Sequence, residues 1–172
     1  MQQAAPTQTA PDPSPQKVVV PRGLIEAAEK GDIQKIRTFA QDPGFGEKDS
    51  KGRTALIAAG EKGKKAAFAE LIAVLDESVK KEVKRMIAEG QPAVSDGMAA
   101  VRARMVLFNT SDPKGRTPLM YAARRGWTEL VSDMLQGAAD PFLRDNDGRS
   151  AADHAQAAGY NSIASMLRNP PR

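Results

Sequence analysis

Cysteine is absent from this chain of 172 residues, so neither disulfides nor thiolate-bound metals can contribute to it. Histidine is nearly absent: His154 stands alone, which leaves little material for general-base catalysis or imidazole ligation. Aromatic residues make up 5% of the chain, so the core must be assembled from alanine, leucine and other small or aliphatic side chains. No apolar run approaches the ~18 residues that a membrane span requires. A surplus of one charge sign is also missing: 25 Lys and Arg face 21 Asp and Glu, for a formal charge of +4. Dispersed in this way, the charges read first as a solvated surface and only second as a field for an acidic partner.

The chemistry of reaction centres is equally thin. Glycine-rich phosphate loops and carboxylate pairs at a plausible spacing do not occur. Asp145, Asn146 and Asp147 resemble a fragment of a calcium loop, but the spacing and the later bidentate glutamate are missing. The expectation is a chain that is not an enzyme, with no cofactor, no metal, no membrane partner and no nucleic-acid partner.

What is present is a repeating unit, most complete at residues 112–140. Asp112, Pro113 and Gly115 supply turn chemistry. Thr117 followed by Pro118 is a helix start, a capping hydroxyl before a ring that needs no amide donor. Leu119, Ala122 and Ala123 share a helix face, Gly126 ends that helix, and Leu130, Val131, Met134 and Leu135 form the stripe of a second one. A unit this small cannot bury its own apolar face, and copies exist. Residues 49–63 and 145–159 repeat the opening, and Thr117 and Ser150 stand 33 residues apart.

The run Gly115-Arg-Thr-Pro-Leu-Met-Tyr-Ala-Ala123 resembles the signature of the ankyrin-repeat family, with Met120 where the family places histidine. The interrepeat hydrogen bond of that histidine is therefore expected to be missing. The resemblance implies an all-α solenoid of about five helix–turn–helix repeats, starting near residues 22, 54, 81, 117 and 150, with short hairpin-like fingers. Residues 22–169 form the array. Residues 1–21, rich in proline, glutamine and threonine, form a flexible tail. The first and last repeats carry the polar substitutions of caps. Between residues 76 and 110 the hairpin signature is lost; the spacing predicts a degenerate third repeat entered through Asp76-Glu-Ser78, the alternative being an inserted helical pair outside the array. A break is expected at Gly90-Gln-Pro92.

Carried over position by position, the resemblance implies a binding surface on the fingers and inner helices. On the fingers it names Lys51, Arg53, Lys114, Arg116 and Arg149, and on the helices Met120, Tyr121, Arg124, Arg125, Trp127 and His154. Trp and Arg are the types enriched at interface hot spots. For Trp127 and Tyr121 the reading as packing residues at the repeat junction stays open, and His154 reads first as a packing or surface residue.

The resulting expectation is a protein–protein interaction module, monomeric when free, that binds and blocks a partner enzyme in the manner of small exported bacterial immunity proteins, a peptidoglycan hydrolase being one candidate target. An intracellular adaptor without inhibitory activity is the alternative, and nucleic-acid binding through the basic stretch 80–104 ranks last. The tail composition is what often follows a removed signal peptide, so a periplasmic or secreted location is expected, with a cytoplasmic one as the alternative.

Overall fold

Three of the helix pairs begin where a hydroxyl closes the first turn. Thr54 and Thr117 accept the amide protons of Ile57 and Met120, each at 3.4 Å, and Ser150 with Asp153 forms a reciprocal capping box. Each pair bends at a glycine held at positive φ: Gly31, Gly63, Gly126 and Gly159 lie between +71° and +86°, a conformation that costs other residues steric strain. The local chemistry of the sequence thus sets both ends of the short helices that follow Thr54, Thr117 and Ser150.

A computed structural model describes residues 22–39, 46–88 and 96–170. Among them are nine helices: α1 (Arg22–Lys30), α2 (Ile33–Phe39), α3 (Ala55–Lys62), α4 (Lys65–Ala88), α5 (Asp96–Asn109), α6 (Pro118–Arg124), α7 (Thr128–Gln136), α8 (Ala151–Ala157) and α9 (Asn161–Arg168). The inner helices α1, α3, α6 and α8 pack side by side in that order. On the outer row α2 packs on α4, where Arg37 forks onto Glu70 at 2.6 and 3.1 Å. The expected tail at residues 1–21, the turn at residues 41–45 and the break at residues 90–92 lie outside the described residues.

Residues 76–110 take the second of the two arrangements that the sequence left open. Asp76, Glu77 and Ser78 make no link between repeats; they sit inside α4, which runs unbroken for 24 residues. The first inner helix of the expected third repeat does not form, because α3 packs directly against α6. Instead α4 outruns the array and α5 returns along it, joined by Arg104 Nε donating to Asp76 Oδ1 at 2.7 Å. This correction has a simple cause: Asp, Glu and Ser permit helix as readily as turn, and no glycine or proline stops the helix there. The array is therefore four helix pairs with a helical hairpin inserted at the centre of the outer row.

Alanine and leucine fill the core, as the scarcity of aromatics requires. Ala28, Ala58, Ala59, Ala122, Ala123 and Ala155 are 0% exposed, which lets the inner helices approach closely. Leu119, at 1% exposure, sits in the middle of this packing. Its truncation to alanine is expected to cost about 3 kcal/mol through lost transfer energy and a cavity, read as a lower urea midpoint with an unchanged m-value.

Candidate functional site

Three fingers precede α3, α6 and α8, and one aspartate builds each of them in the same way. Asp49 Oδ1 accepts from the backbone of Lys51 and Arg53, Asp112 Oδ1 from Lys114 and Arg116, and Asp145 Oδ1 from Asp147 and Arg149, all at 2.8–3.0 Å. These bonds hold the tip in a tight turn and leave the second carboxylate oxygen free for a tertiary contact. Asp112 Oδ2 takes the Tyr121 hydroxyl at 2.7 Å, and Asp145 Oδ2 takes His154 Nε2 at 2.8 Å. Tyr121 and His154 occupy the same repeat position. Ala58 fills it in the second repeat and has nothing to donate, so Arg53 turns back to Asp49, with Nε at 3.0 Å and the terminal nitrogen at 2.8 Å.

The same guanidinium reaches further. Arg53, 6% exposed, also donates to Glu61 on α3 and approaches Glu29 on α1 at 3.5 Å. Lys62 closes the cluster on Glu29 at 3.3 Å. Burial works against the Arg53 charge, but the carboxylates of Asp49 and Glu61 outweigh it and hold its pKa above the ordinary arginine value. Fingers and inner helices thereby share one face, and its acidic groups in the first two repeats are already committed internally.

The structure places five of the sequence-based candidates inside the array: Trp127 and Tyr121 take the packing role left open for them, His154 takes its first reading, and Arg53 and Met120, expected to face outward, do not. Arg53, Met120, Tyr121, Trp127 and His154 are all buried, at 2–8% exposure. Met120 lies in the inner-helix core and, as expected, makes no side-chain interrepeat hydrogen bond; the adjacent Tyr121 ties its own finger down. Burial, then the bond to Asp112, pushes the Tyr121 phenol up to about 12. Trp127 packs edge-on against Phe68, with ring centroids 5.5 Å apart. A partner docking on the folded array meets other side chains.

Of the remaining candidates, Lys51, Lys114, Arg124 and Arg125 face outward, and Arg116 and Arg149 are half-buried. Lys51 and Lys114 are exposed at successive finger tips. Arg124 is exposed two residues before Gly126, the repeat position that Glu61 holds before Gly63, so it belongs to the same face. None of the three cations has an ion pair among the described residues. Arg125 is exposed too but is tied to the neighbouring repeat: it donates to the Glu61 carbonyl at 2.6 Å and lies over Gly63, where a Cβ would come within 2.8 Å of its guanidinium. Arg116 and Arg149 flank the buried Asp145 carboxylate at 3.7 and 3.6 Å. The third tip carries an acid, Asp147, paired to Arg149. The fingers interlock through Asn146, whose backbone and side-chain nitrogens donate to Lys114 and Pro113 carbonyls at 3.0 and 2.9 Å.

The half-buried Asp49 and the buried Asp145 make stability depend on pH. Burial favours the protonated form of Asp49 and Asp145, but backbone donors with Arg53 and His154 outweigh it, so both pKa values are lowered. A lowered folded-state pKa stabilises the native state above the unfolded value of about 3.9, and that contribution disappears as pH falls below it. The urea midpoint is expected to hold steady down to about pH 4 and to fall steeply below it; Asp145→Asn should flatten part of that fall.

A stacked row of helix pairs with a rigid, cation-bearing finger face, and no group of three or more His, Cys, Asp and Glu poised for a metal among the described residues, defines a repeat protein built for docking. The model of the family "Ankyrin repeats (3 copies)" matches residues 83–171, and the chain belongs to that family. It is similar to the espin-like protein of Homo sapiens, 40% identical over 68 residues, covering 38% of this chain and 7% of that protein. The human ankyrin repeat domain-containing protein 63 is 32% identical over 90 residues, 48% of this chain and 22% of its own length. Human NAD-capped RNA hydrolase NUDT12 is 34% identical over 98 residues, 52% of this chain and 21% of the hydrolase. The chain spans less than a quarter of each of these relatives. Ankyrin arrays are protein-interaction folds, and this chain is a protein–protein interaction module of that type.

Proposed function

We propose that the chain binds one specific protein partner through the finger and inner-helix face, that the partner presents acidic groups to Lys51, Lys114 and Arg124, and that docking blocks the partner's activity as an exported inhibitor would. The carrying observation is the asymmetry of that face. Glu29 and Glu61 are neutralised within the array by Arg53 and Lys62, whereas the three cations have no ion pair among the described residues. Charges held at fixed positions by interlocked fingers steer a complementary surface into register and cost little ordering on binding. An enzyme whose cleft is ringed by carboxylates is the partner class that fits, and a periplasmic hydrolase is one member of it.

Purifying the tagged full chain from its native cells tests the reading. A single stoichiometric enzyme whose activity falls on adding the pure chain is the expected result; recovery of no stoichiometric partner sinks it, and a partner that stays active supports the adaptor reading. With the partner in hand, Lys114→Glu combined with Arg124→Glu should weaken binding by about tenfold to a hundredfold, mostly through slower association and loss of salt dependence.

A further inference from the structure

The inserted hairpin presents a surface that neither the array nor the finger face uses. Helix α5 is apolar on both sides. Leu107 and Phe108 point inward at 5% and 1% exposure, whereas Met98, Met105 and Val106 are 63%, 54% and 61% exposed. Helical spacing puts Met98, Arg102, Met105 and Val106 on one stripe, with Leu107 opposite it and the buried Phe108 along one edge. Large apolar side chains on two sides of a helix are normally covered on both. Here one side is open.

That open side is held rigidly. Arg104 bonds Asp76 on α4, which fixes the rotation of α5. Asn109 then clamps the loop after α7: its Nδ2 donates to the Ala138 carbonyl at 3.2 Å, and its Oδ1 accepts from Asp140 N at 2.8 Å. Asp140 in turn accepts from Phe142 N at 2.8 Å, so Phe142, 64% exposed, stands beyond the C-terminal end of the stripe. The close seat of Phe108 over Gly137, where a Cβ would come within 2.7 Å of the ring, leaves the helix little room to roll.

We propose that the outward face of α5, continued by Phe142, is a second docking site for a helix of a partner protein that carries a carboxylate between its apolar residues. Arg102 decides the kind of occupant. It is exposed in the middle of the stripe and has no ion pair among the described residues. In a two-fold pairing of α5 with a second copy, Met98 would face Val106 and Arg102 would face its own duplicate, a like-charge contact that disfavours the homodimer. A helix with leucine-sized residues at intervals of three and four and one acid facing Arg102 satisfies all four positions at once. The unbranched Met98 and Met105 adapt to such a surface without a preformed pocket.

The test uses the full chain and two fluorescent synthetic helical peptides. Both carry leucines at that spacing; one has a glutamate at the central polar position and the other a lysine. Fluorescence anisotropy should show the glutamate peptide binding the wild-type chain in the micromolar range, and the lysine peptide binding at least about tenfold more weakly. Arg102→Glu should reverse that order, and Met105→Asp with Val106→Asp should abolish binding of both, with melting curves unchanged because these side chains are exposed. Changes at Lys114 and Arg124 should leave peptide binding as it was, which separates this site from the finger face. No binding at about 1 mM peptide, equal affinity for the two peptides, or indifference to Arg102→Glu overturns the proposal. So does a concentration-dependent dimer broken by Met105→Asp, or binding to anionic vesicles in place of the peptide.

Discussion

Trp127→Ala should lower the unfolding free energy by about 3–5 kcal/mol, the range for deleting a buried large aromatic side chain. The indole is 8% exposed and meets Phe68 edge-on at an interplanar angle of 65°. Phe68, 0% exposed, belongs to α4, so the pair joins the repeats on either side of the inserted hairpin. Nearby, Lys65 reaches Glu129 at 2.8 Å, but both groups are largely exposed and add little. The aromatic contact therefore adds to the α3–α6 packing and the Arg125–Glu61 bond at this junction, and its loss leaves a cavity between the two repeats. Trp127→Phe should recover more than half of the loss. Equilibrium urea unfolding by far-UV circular dichroism checks both; a Trp127→Ala variant as stable as wild type would return the residue to the list of docking candidates.

Arg53→Met is expected to cost about 1–3 kcal/mol, because the guanidinium is buried whereas the acids it leaves, Asp49, Glu29 and Glu61, keep part of their surface in water. The substitution keeps the apolar stem and removes only the fork. Asp49, Glu29 and Glu61 then stay close together with Lys62 as their remaining cation. The pH dependence distinguishes this cause from simple loss of packing. Protonating Asp49 and Glu29, whose pKa values Arg53 helps to hold down, removes their repulsion, so the deficit of the variant should shrink as pH falls through about 4. Arg53→Lys should recover part of the stability, since an ammonium supplies charge but cannot bond three carboxylates in the planar geometry of a guanidinium. A deficit that stays constant from pH 7 to pH 3 would contradict the electrostatic explanation.

Features fixed by local chemistry were legible in the sequence. The Thr117-Pro118 start, the bend at Gly126 and the turns at Asp112 and Asp145 all follow from one residue acting on its own backbone. Burial was harder to read. Trp127, Tyr121 and His154 have the side-chain types found at interface hot spots, but type alone does not say which side of the helix meets the neighbouring repeat. A signal did exist: Asp112 and Tyr121 are nine residues apart, as are Asp145 and His154, each pairing a finger acid with a donor on the helix that follows. The second repeat hides the rule, because Ala58 breaks it and Arg53 substitutes from within the finger. Residues 76–110 were ambiguous for a different reason. A helical stripe in the sequence is satisfied equally by a repeat and by a hairpin folded back on itself; the signal was that no Gly-x-Thr-Pro-Leu signature stands in the sequence between Thr54 and Thr117.

Lys51, Lys114 and Arg124 remain as the outward-facing, ion-pair-free part of the finger and inner-helix face. They are spread over two repeats that share a rigid scaffold, and replacing them disturbs no buried contact. If docking uses this face as proposed, specificity should change there without a change in stability, whereas changes at Trp127, Tyr121 and His154 should loosen the array.

The most direct measurement is the dissociation constant of the native partner for the wild-type chain and for the Lys51→Glu/Lys114→Glu/Arg124→Glu variant, each at two salt concentrations, alongside their urea midpoints. The expected result is an unchanged midpoint, with wild-type affinity that weakens as salt rises and variant affinity at least about tenfold weaker with little salt dependence. Equal affinity of the two proteins at both salt concentrations, with both folded, would contradict the assignment of docking to this face.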